Sequence, residues 1–477
     1  MIRPQGGGVT SLKIHISGVC GTATASLAGL LKAKGHEVSG SDQDVYPPMS
    51  DELARMGVPV RTPYAEDNLP ADTDLVVIGN ALSRGNPEVE AVLDAKRRYT
   101  SQAALLAEEF LRDRTSIVVA GTHGKTTTTS MLTHVLRHAG LDPSFLIGGV
   151  SLDLGTSYGL GSGPHFVVEG DEYDTAFFDK RPKFVHYLPD IAIIGNLEFD
   201  HADIYADLAA VQLAFTRLMS VIPRRGLLIA GIESPALVEI LSRARSRVAT
   251  FGLGEASGAA YQARAVALSV NGAAFDVVKD GETLGRIEMS ASGNHNVRNA
   301  LAATIAALEA GASFPRIAAA FAAFRGVRRR LELRGEARGV RVYDDFAHHP
   351  TAVRETIAAL RSRIGAKERV ITIFEPRSYT SRTRVFEKDF AHAFATADEV
   401  VIAGAHLPGK VPPAERISEE TLVASINQAG GTARFIRSVD EIVSAACAEL
   451  RAGDHVLILS NGGFGGIHDR LLAAIRS

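Results

Sequence analysis

The stretch SIVVAGTHGKTTTT, Ser116 to Thr129, sets a β-branched apolar run directly before a glycine turn, a lysine and four threonines. The apolar run reads as a buried strand and the threonines as the opening of a helix that runs to Gly140. Glycines in such a turn let backbone N–H groups close around phosphate oxygens, and a helix N-terminus adds positive potential. Lys125 is placed to reach the β- and γ-phosphates of a nucleotide, and the Thr126 hydroxyl to sit on Mg²⁺. Gly121, Thr122, His123, Gly124 and Thr127 complete the candidate phosphate cradle. The spacing departs from the strict G-x-x-x-x-G-K-[ST] form, because Gly121 lies three positions before Gly124 rather than five.

Outward from this turn, apolar runs keep ending in polar clusters. In the same segment HFVVEGDEYD and IAIIGNLEFDH each pass from apolar residues to acids. Upstream, LKIHISG (Leu12–Gly18) leads through SLAGLLKAKG, ending at the helix-terminating Gly35, to HEVSGSD and then to DLVVIGN (Asp74–Asn80). Downstream, VRVYDDFAHHP, RVITIFEPRS, EVVIAG and HVLILSNGGFGG give four more strands with polar ends. This alternation predicts a parallel α/β protein with ligand sites at the carboxyl ends of strands. The breaks at LRDR (Leu111–Arg114) and at RGVRRRLELRG, a basic, glycine-bounded stretch that reads as a hinge, divide the chain into residues 1–112, 113–326 and 327–477.

Four further clusters carry chemistry. Glu169, at the end of its strand, stands where a P-loop enzyme places a carboxylate for Mg²⁺, with Asp171 and Glu172 as neighbouring alternatives. His201 closes NLEFDH; a hard cation prefers oxygen, so the histidine reads either as a loop hydrogen-bonding residue or as a partner of the phosphate site. In GNHNVRNA, His295, Asn296 and Asn299 offer donors and acceptors for a purine edge and ribose, or alternatively a helix cap. Gly18 and Gly21, with Thr22, form a second strand–turn–helix unit suited to a diphosphate. It lacks the third glycine of a dinucleotide fingerprint. Cys20 within it reads as a small packed residue.

The chain has 477 residues, 51 Lys plus Arg against 54 Asp plus Glu, and 46% hydrophobic residues. At about 150 residues per domain this length predicts about three domains. Near-neutral charge argues against non-specific nucleic-acid binding. Two cysteines, Cys20 and Cys447, exclude a disulfide framework or a multi-cysteine metal site. The glycine-rich start, Met1 to Thr10, reads as a short tail without the apolar core of a signal peptide, and no window reaches the ~20 apolar residues of a membrane span. The expectation is a cytoplasmic protein.

Taken in order, GTHGKTTTT, EGDEYD, NLEFDH, GNHNVRNA, RRRLELRG and YDDFAHHP resemble the Mur ligase family over essentially the whole chain. The resemblance implies three domains: a Rossmann-like domain for a UDP-sugar, a central ATPase domain, and a Rossmann-like domain that brings the amine. Within the family, GSDQDVYPPMS, IGNALSRGNPEVEAVL, FFDKRPKFVHY and SNGGFGGIHDRL look like the branch that joins UDP-N-acetylmuramate to the murein tripeptide L-alanyl-γ-D-glutamyl-meso-diaminopimelate. The alternative is the branch that adds L-alanine, which has proline in N-x-E-P-D-H where this chain has Phe199.

The resemblance implies ATP and Mg²⁺ as cofactors and an acyl-phosphate intermediate. Thr126 and Glu169 would hold one Mg²⁺, His201 would help hold a second, and Lys125 would bridge the transferred phosphoryl group. His295, Asn296 and Asn299 would contact adenine and ribose, and Arg330, Asp345 and His348 would close over the nucleotide from the third domain. Gly18, Gly21, Thr22, Asp42, Asn80, Ser83 and Arg84 are the UDP-sugar candidates. Arg377, Asn461 and Gly462 are those for the peptide. Several family members carry a carbamylated lysine shortly after the histidine matched by His201. This chain has no lysine between Lys183 and Lys279.

Overall fold

A computed structural model describes residues 11–45, 49–405, 411–412 and 414–477. The glycine-rich start and the YPP of GSDQDVYPPMS lie outside the described residues. Three sheets follow one another along the chain. The first holds β1 (Lys13–Ser17), β2 (Glu37–Ser41), β3 (Val60–Arg61), β4 (Leu75–Ile78) and β5 (Tyr99–Ser101), all parallel, in the order β3-β2-β1-β4-β5. The helix Thr22–Ala33 follows β1 and buries Leu27, Ala28, Leu30 and Leu31 against it; Gly35 ends the turn at φ +98°, a conformation glycine adopts without a Cβ clash.

The second sheet contains the deciding stretch. β6 (Thr115–Ala120) is flanked by β9 (His165–Glu169) on one side and β12 (Ile191–Ile194) on the other, all parallel, and its apolar residues are buried on both faces. Between β6 and β9 run the helix Lys125–His138, β7 (Ser144–Leu146) and β8 (Tyr158–Gly159); after β9 comes a separate hairpin of β10 (Asp174–Ala176) and β11 (Asp179–Pro182). Register fixes the site: Val119 pairs with Glu169 and Ala120 with Ile194. The glycine turn, the first acid and the Asn196–His201 loop therefore leave the sheet at the same edge.

This sheet is not wholly parallel, contrary to the sequence expectation. Beyond β13 (Leu227–Gly231) and β14 (Arg247–Leu253), the antiparallel ribbon β15 (Tyr261–Ser269), β16 (Gly272–Lys279) and β17 (Glu282–Met289) extends it to ten strands. The missed signal is Asp280-Gly281, both at positive φ, +48° and +89°, a tight hairpin turn whose twist matches antiparallel strands.

The third sheet has β18 (Glu332–Ala337), β19 (Val340–Asp345), β20 (Val370–Phe374), β21 (Glu399–Ala403), β22 (Ala433–Ile436) and β23 (His455–Leu459), in the order β18-β19-β23-β20-β21-β22. Only β18 is antiparallel. It takes in the second half of the stretch read as a hinge, so the turn between the sheets narrows to the residues just before Glu332.

Candidate active site

A cleft of about 1540 Å³ is lined by all three parts of the chain: Thr22 and Arg55 from the first, Lys125, Glu169 and Asn296 from the second, Arg330 and His348 from the third. At its centre the turn Gly121–Gly124 is held by the loop after β12. The His123 N–H donates to Asn196 Oδ1 at 2.8 Å, and Glu198 N–H to Thr122 Oγ1 at 2.9 Å. Gly121 sits at φ +131° and Gly124 at φ +81°. A Cβ on Gly124 would lie 2.5 Å from Asn299 Oδ1, so glycine lets the helix Asn294–Glu309 bring its asparagines against the turn.

The expected ring of charge forms, with one change of emphasis. Thr126 Oγ1 donates to Glu169 Oε1 at 3.0 Å, and the Gly148 N–H donates to Glu169 Oε2 at 2.7 Å. Lys125 Nζ, however, donates to Glu172 Oε1 at 2.9 Å and to the carbonyls of Gly121 and Thr122. His201 Nε2 also meets Glu172 Oε1, at 3.0 Å. Glu172, an alternative in the sequence reading, is thus the carboxylate that joins lysine to histidine. Burial opposes its charge, but Lys125 and His201 outweigh that and lower its pKa. Burial likewise works against the Lys125 ammonium, and Glu172 with its acidic neighbours more than compensates, raising its pKa. Glu169 goes the other way, raised by burial.

His201 stands in left-handed backbone at φ +55°, its N–H bonded to Asp200 Oδ1 and its ring 4.4 Å from that of Tyr173. From the third sheet, Arg330 Nη2 donates to Thr126 Oγ1 at 3.2 Å. Buried Asp345 accepts from the N–H groups of Leu331 and Ala347 and is raised by burial. Burial lowers His348 and keeps it neutral. Its Nδ1 lies 3.0 Å from the Phe346 carbonyl, so Nδ1 carries the proton and Nε2 a lone pair. His295 lines the cleft and is also lowered by burial.

Further contacts between the central and third sheets were not anticipated. Thr351 Oγ1 donates to Glu198 Oε2 at 2.7 Å, Thr380 Oγ1 donates to Asp200 Oδ1 at 2.7 Å, and Phe199 stacks on Phe386 at 5.7 Å. His123, Glu198 and His349 bring their donor atoms within 4.8 Å of one another. All but Phe386 lie in or beside quoted motifs, yet nothing in the local pattern marks them as partners.

The first sheet's candidates fall into two groups. Thr22 reaches the cleft; Gly18, Gly21, Asp42, Asn80, Ser83 and Arg84 are not in its lining. Gly18, at φ +87°, and Val19 donate their N–H groups to the Ser41 carbonyl. Asp42 is occupied internally, accepting from Cys20 N–H at 2.8 Å and Tyr64 OH at 3.0 Å. Cys20 is pushed up to about 11 by burial and by Asp42, which fits a packed thiol and not a nucleophile. Arg84 is exposed and paired with Glu90. Arg377, Asn461 and Gly462 gather at the end of β23, where the Arg377 side chain lies directly over Gly462.

The fold and site define a nucleotide-binding enzyme of three α/β units closing on one cleft. The chain matches the Mur ligase family catalytic domain over residues 13–114, the Mur ligase middle domain over 119–307 and the Mur ligase glutamate ligase domain over 329–462. It is 43% identical to the UDP-N-acetylmuramate–L-alanyl-γ-D-glutamyl-meso-2,6-diaminoheptandioate ligase of Escherichia coli, covering 97% of this chain and 98% of that one. It is 36% identical to the UDP-N-acetylmuramate–L-alanine ligase of Desulfosudis oleivorans, over 94% and 95% of the two chains. A crystal structure of a murein peptide ligase from Psychrobacter arcticus superposes with a TM-score of 0.75 at 38% identity, over 98% and 99% of the chains. The chain belongs to the Mur ligase family, whose members are ATP-dependent ligases. Among the described residues no helix is long and apolar enough to cross a membrane.

Proposed function

We propose that this protein joins the lactyl carboxylate of UDP-N-acetylmuramate to the amine of L-alanyl-γ-D-glutamyl-meso-diaminopimelate, converting ATP to ADP and phosphate. The observation that carries this reading is the 43% identity, over nearly the whole chain, to a ligase named for that tripeptide, against 36% to one named for L-alanine. Residues 1–112 would bind the UDP-sugar, 113–326 ATP, and 327–477 the peptide.

The donor set fits Mg²⁺. Thr126 Oγ1 and Glu169 Oε1 lie 3.0 Å apart, and Glu172 Oε2 is buried without a hydrogen-bond partner. These are hard oxygen donors of the kind this ion takes. Mg²⁺, when bound, would neutralise charge on the phosphates. His201, giving up its contact with Glu172, would help hold a second Mg²⁺. Lys125 would exchange its carbonyl contacts for phosphate oxygens, and the turn's N–H groups would hold the β-phosphate. His295, Asn296 and Asn299 would take adenine and ribose.

The lactyl carboxylate attacks the γ-phosphorus, ADP leaves, and an acyl phosphate forms. The peptide amine then attacks the acyl carbon and phosphate leaves. His348, which lines the cleft and keeps a lone pair on Nε2, would take the amine's proton. Arg330, on Thr126, closes the third domain over the nucleotide, excluding water from a hydrolysable intermediate. The test is an amine panel with UDP-N-acetylmuramate and MgATP: tripeptide is expected to be used far better than L-alanine, and equal efficiency overturns the assignment. Arg377→Ala is expected to weaken tripeptide use ~10–100-fold without affecting ATP, the loss of one charge-assisted contact.

A further inference from the structure

Two adjacent arginines in the turn between the central and third sheets point to different places. Arg330 reaches Thr126 in the phosphate turn. Arg329 turns away: its Nη2 donates to the carbonyl oxygens of Ser460 and Gly462, at 2.5 and 2.8 Å, and its Nε faces Asp344 at 3.4 Å. Both guanidinium carbons lie over the Phe346 ring, 5.1 and 5.3 Å from its centre. The divergence is built into the backbone. Arg329 and Leu331 both adopt left-handed conformations, φ +59° and +49°, which cost free energy for residues with a Cβ. They are held there by hydrogen bonds from Arg329 N–H to Glu332 Oε2 at 2.8 Å, from Leu331 N–H to Asp345 Oδ2 at 2.6 Å and from Phe346 N–H to the Arg329 carbonyl at 3.0 Å.

The loop that Arg329 grips has an unused acceptor at its middle. Asn461 Oδ1 is buried with no hydrogen-bond partner, flanked by the two residues whose carbonyls Arg329 holds. A buried acceptor left alone is costly, and the N–H of an amine or peptide would satisfy it. A Cβ on Gly462, beside it, would lie 2.4 Å from the Arg377 side chain and would have to displace it. Removing Arg329 frees both carbonyls and the spacing between Asn461 and Arg377.

We propose that Arg329 is a positioning residue for the loop Ser460–Gly462, fixing the amine-binding end of the cleft from the same turn that aims Arg330 at the nucleotide. This rests on the reading that the loop receives the tripeptide. It makes the turn a two-ended clamp: one guanidinium registers on the phosphate site, the other on the peptide site, and both rest on Phe346.

Splitting the reaction tests it. With UDP-N-acetylmuramate and MgATP but no tripeptide, hydroxylamine displaces phosphate from the acyl phosphate to give a hydroxamate, which reports activation alone. Full ligation reports the peptide step. Arg329→Ala is expected to form hydroxamate within about twofold of the unaltered protein, which also certifies its fold, while its tripeptide KM rises ~10–100-fold. Arg329→Lys is expected to recover part of that loss, since an ammonium still donates to a carbonyl. Arg330→Ala is expected to lose both reactions. Equal losses in the two assays for Arg329→Ala, or an unchanged tripeptide KM, overturn the proposal. If the unaltered protein gives neither hydroxamate nor product, it is the functional reading that falls.

Discussion

The chain builds the same backbone device twice. In the first sheet β1 runs into Gly18–Gly21 and the helix Thr22–Ala33; in the second β6 runs into Gly121–Gly124 and the helix Lys125–His138. Both present a helix N-terminus at the carboxyl edge of a parallel sheet. The surroundings differ. The second turn is ringed by Lys125, Glu169, Glu172, His201 and Arg330, drawn from three other segments as well as its own. The first has no charged side chain of its own: Asp42 binds its Cys20 N–H, and beneath it the buried Glu88 accepts hydrogen bonds from Ser17 and Ser41, both at 2.5 Å. A glycine turn alone can hold a diphosphate. Moving a phosphoryl group requires charges aimed at the transition state.

The largest effect that tests this contrast comes from the charged turn. Lys125→Ala is expected to cut kcat by ~10²–10³-fold or more, as removal of a single transition-state donor does, with the melting temperature little changed. Turnover near that of the unaltered protein would erase the distinction between the two turns.

The uncharged turn should answer differently. Gly18→Ala forces a Cβ into left-handed backbone, at a cost of ~1–2 kcal/mol, and is expected to raise the KM for UDP-N-acetylmuramate about tenfold while leaving kcat and the KM for ATP alone. A fall in kcat with KM unchanged would mean that this turn also acts in the transition state.

Glu88 supplies a stability test. Burial alone would raise its pKa, but the nearby His15 ring, 3.8 Å away, and hydrogen bonds from Ser17, Ser41 and Asn68 outweigh that and bring it to about 2. A carboxylate depressed on folding stabilises fully above its unfolded value of about 4.5. That contribution is lost as pH falls from there toward 2. Glu88→Gln is expected to cost ~1.5–3 kcal/mol at pH 7 and progressively less below pH 4.5, measured by urea unfolding. A penalty independent of pH would show that shape, not charge, is what Glu88 provides.

The smallest effect expected is none. With no lysine from residue 184 to 278, and with exposed Arg217 as the only basic side chain between His201 and Arg224, no residue in the stretch following His201 up to Val278 can form a lysine carbamate. Activity should be the same with bicarbonate added or removed; strong activation by bicarbonate would place a carbamylated lysine from elsewhere at the charged turn.

The legible part of this protein was what lies within a few residues along the chain. SIVVAG before GTHGKT gives strand, turn and helix because β-branched side chains, glycine conformations and helix-start chemistry are local properties, and the strand ends of VRVYDDFAHHP and HVLILSNGGFGG are visible for the same reason. The antiparallel ribbon β15–β17 was missed although Asp280-Gly281 announced it, because the parallel pattern elsewhere outweighed a single turn. Glu172 was visible only as one acid among three. Asp42 appeared free for a ligand because the Cys20 N–H and Tyr64 OH that occupy it are not marked in sequence as its partners.

By itself, then, the sequence determined three α/β units, a strand–glycine-turn–helix unit of the kind that suits phosphate, and the charged residues available to surround it. Tertiary structure alone decided which of them meet: Lys125 with Glu172, 47 positions away, Thr126 with Arg330, 204 away, and Arg329 with Ser460, 131 away. Those pairings depend on strand register, on the left-handed residues of the turn before β18 and on how the third sheet packs over the second. They arise from contacts between segments, and a local pattern carries no record of the partner that a distant segment will bring.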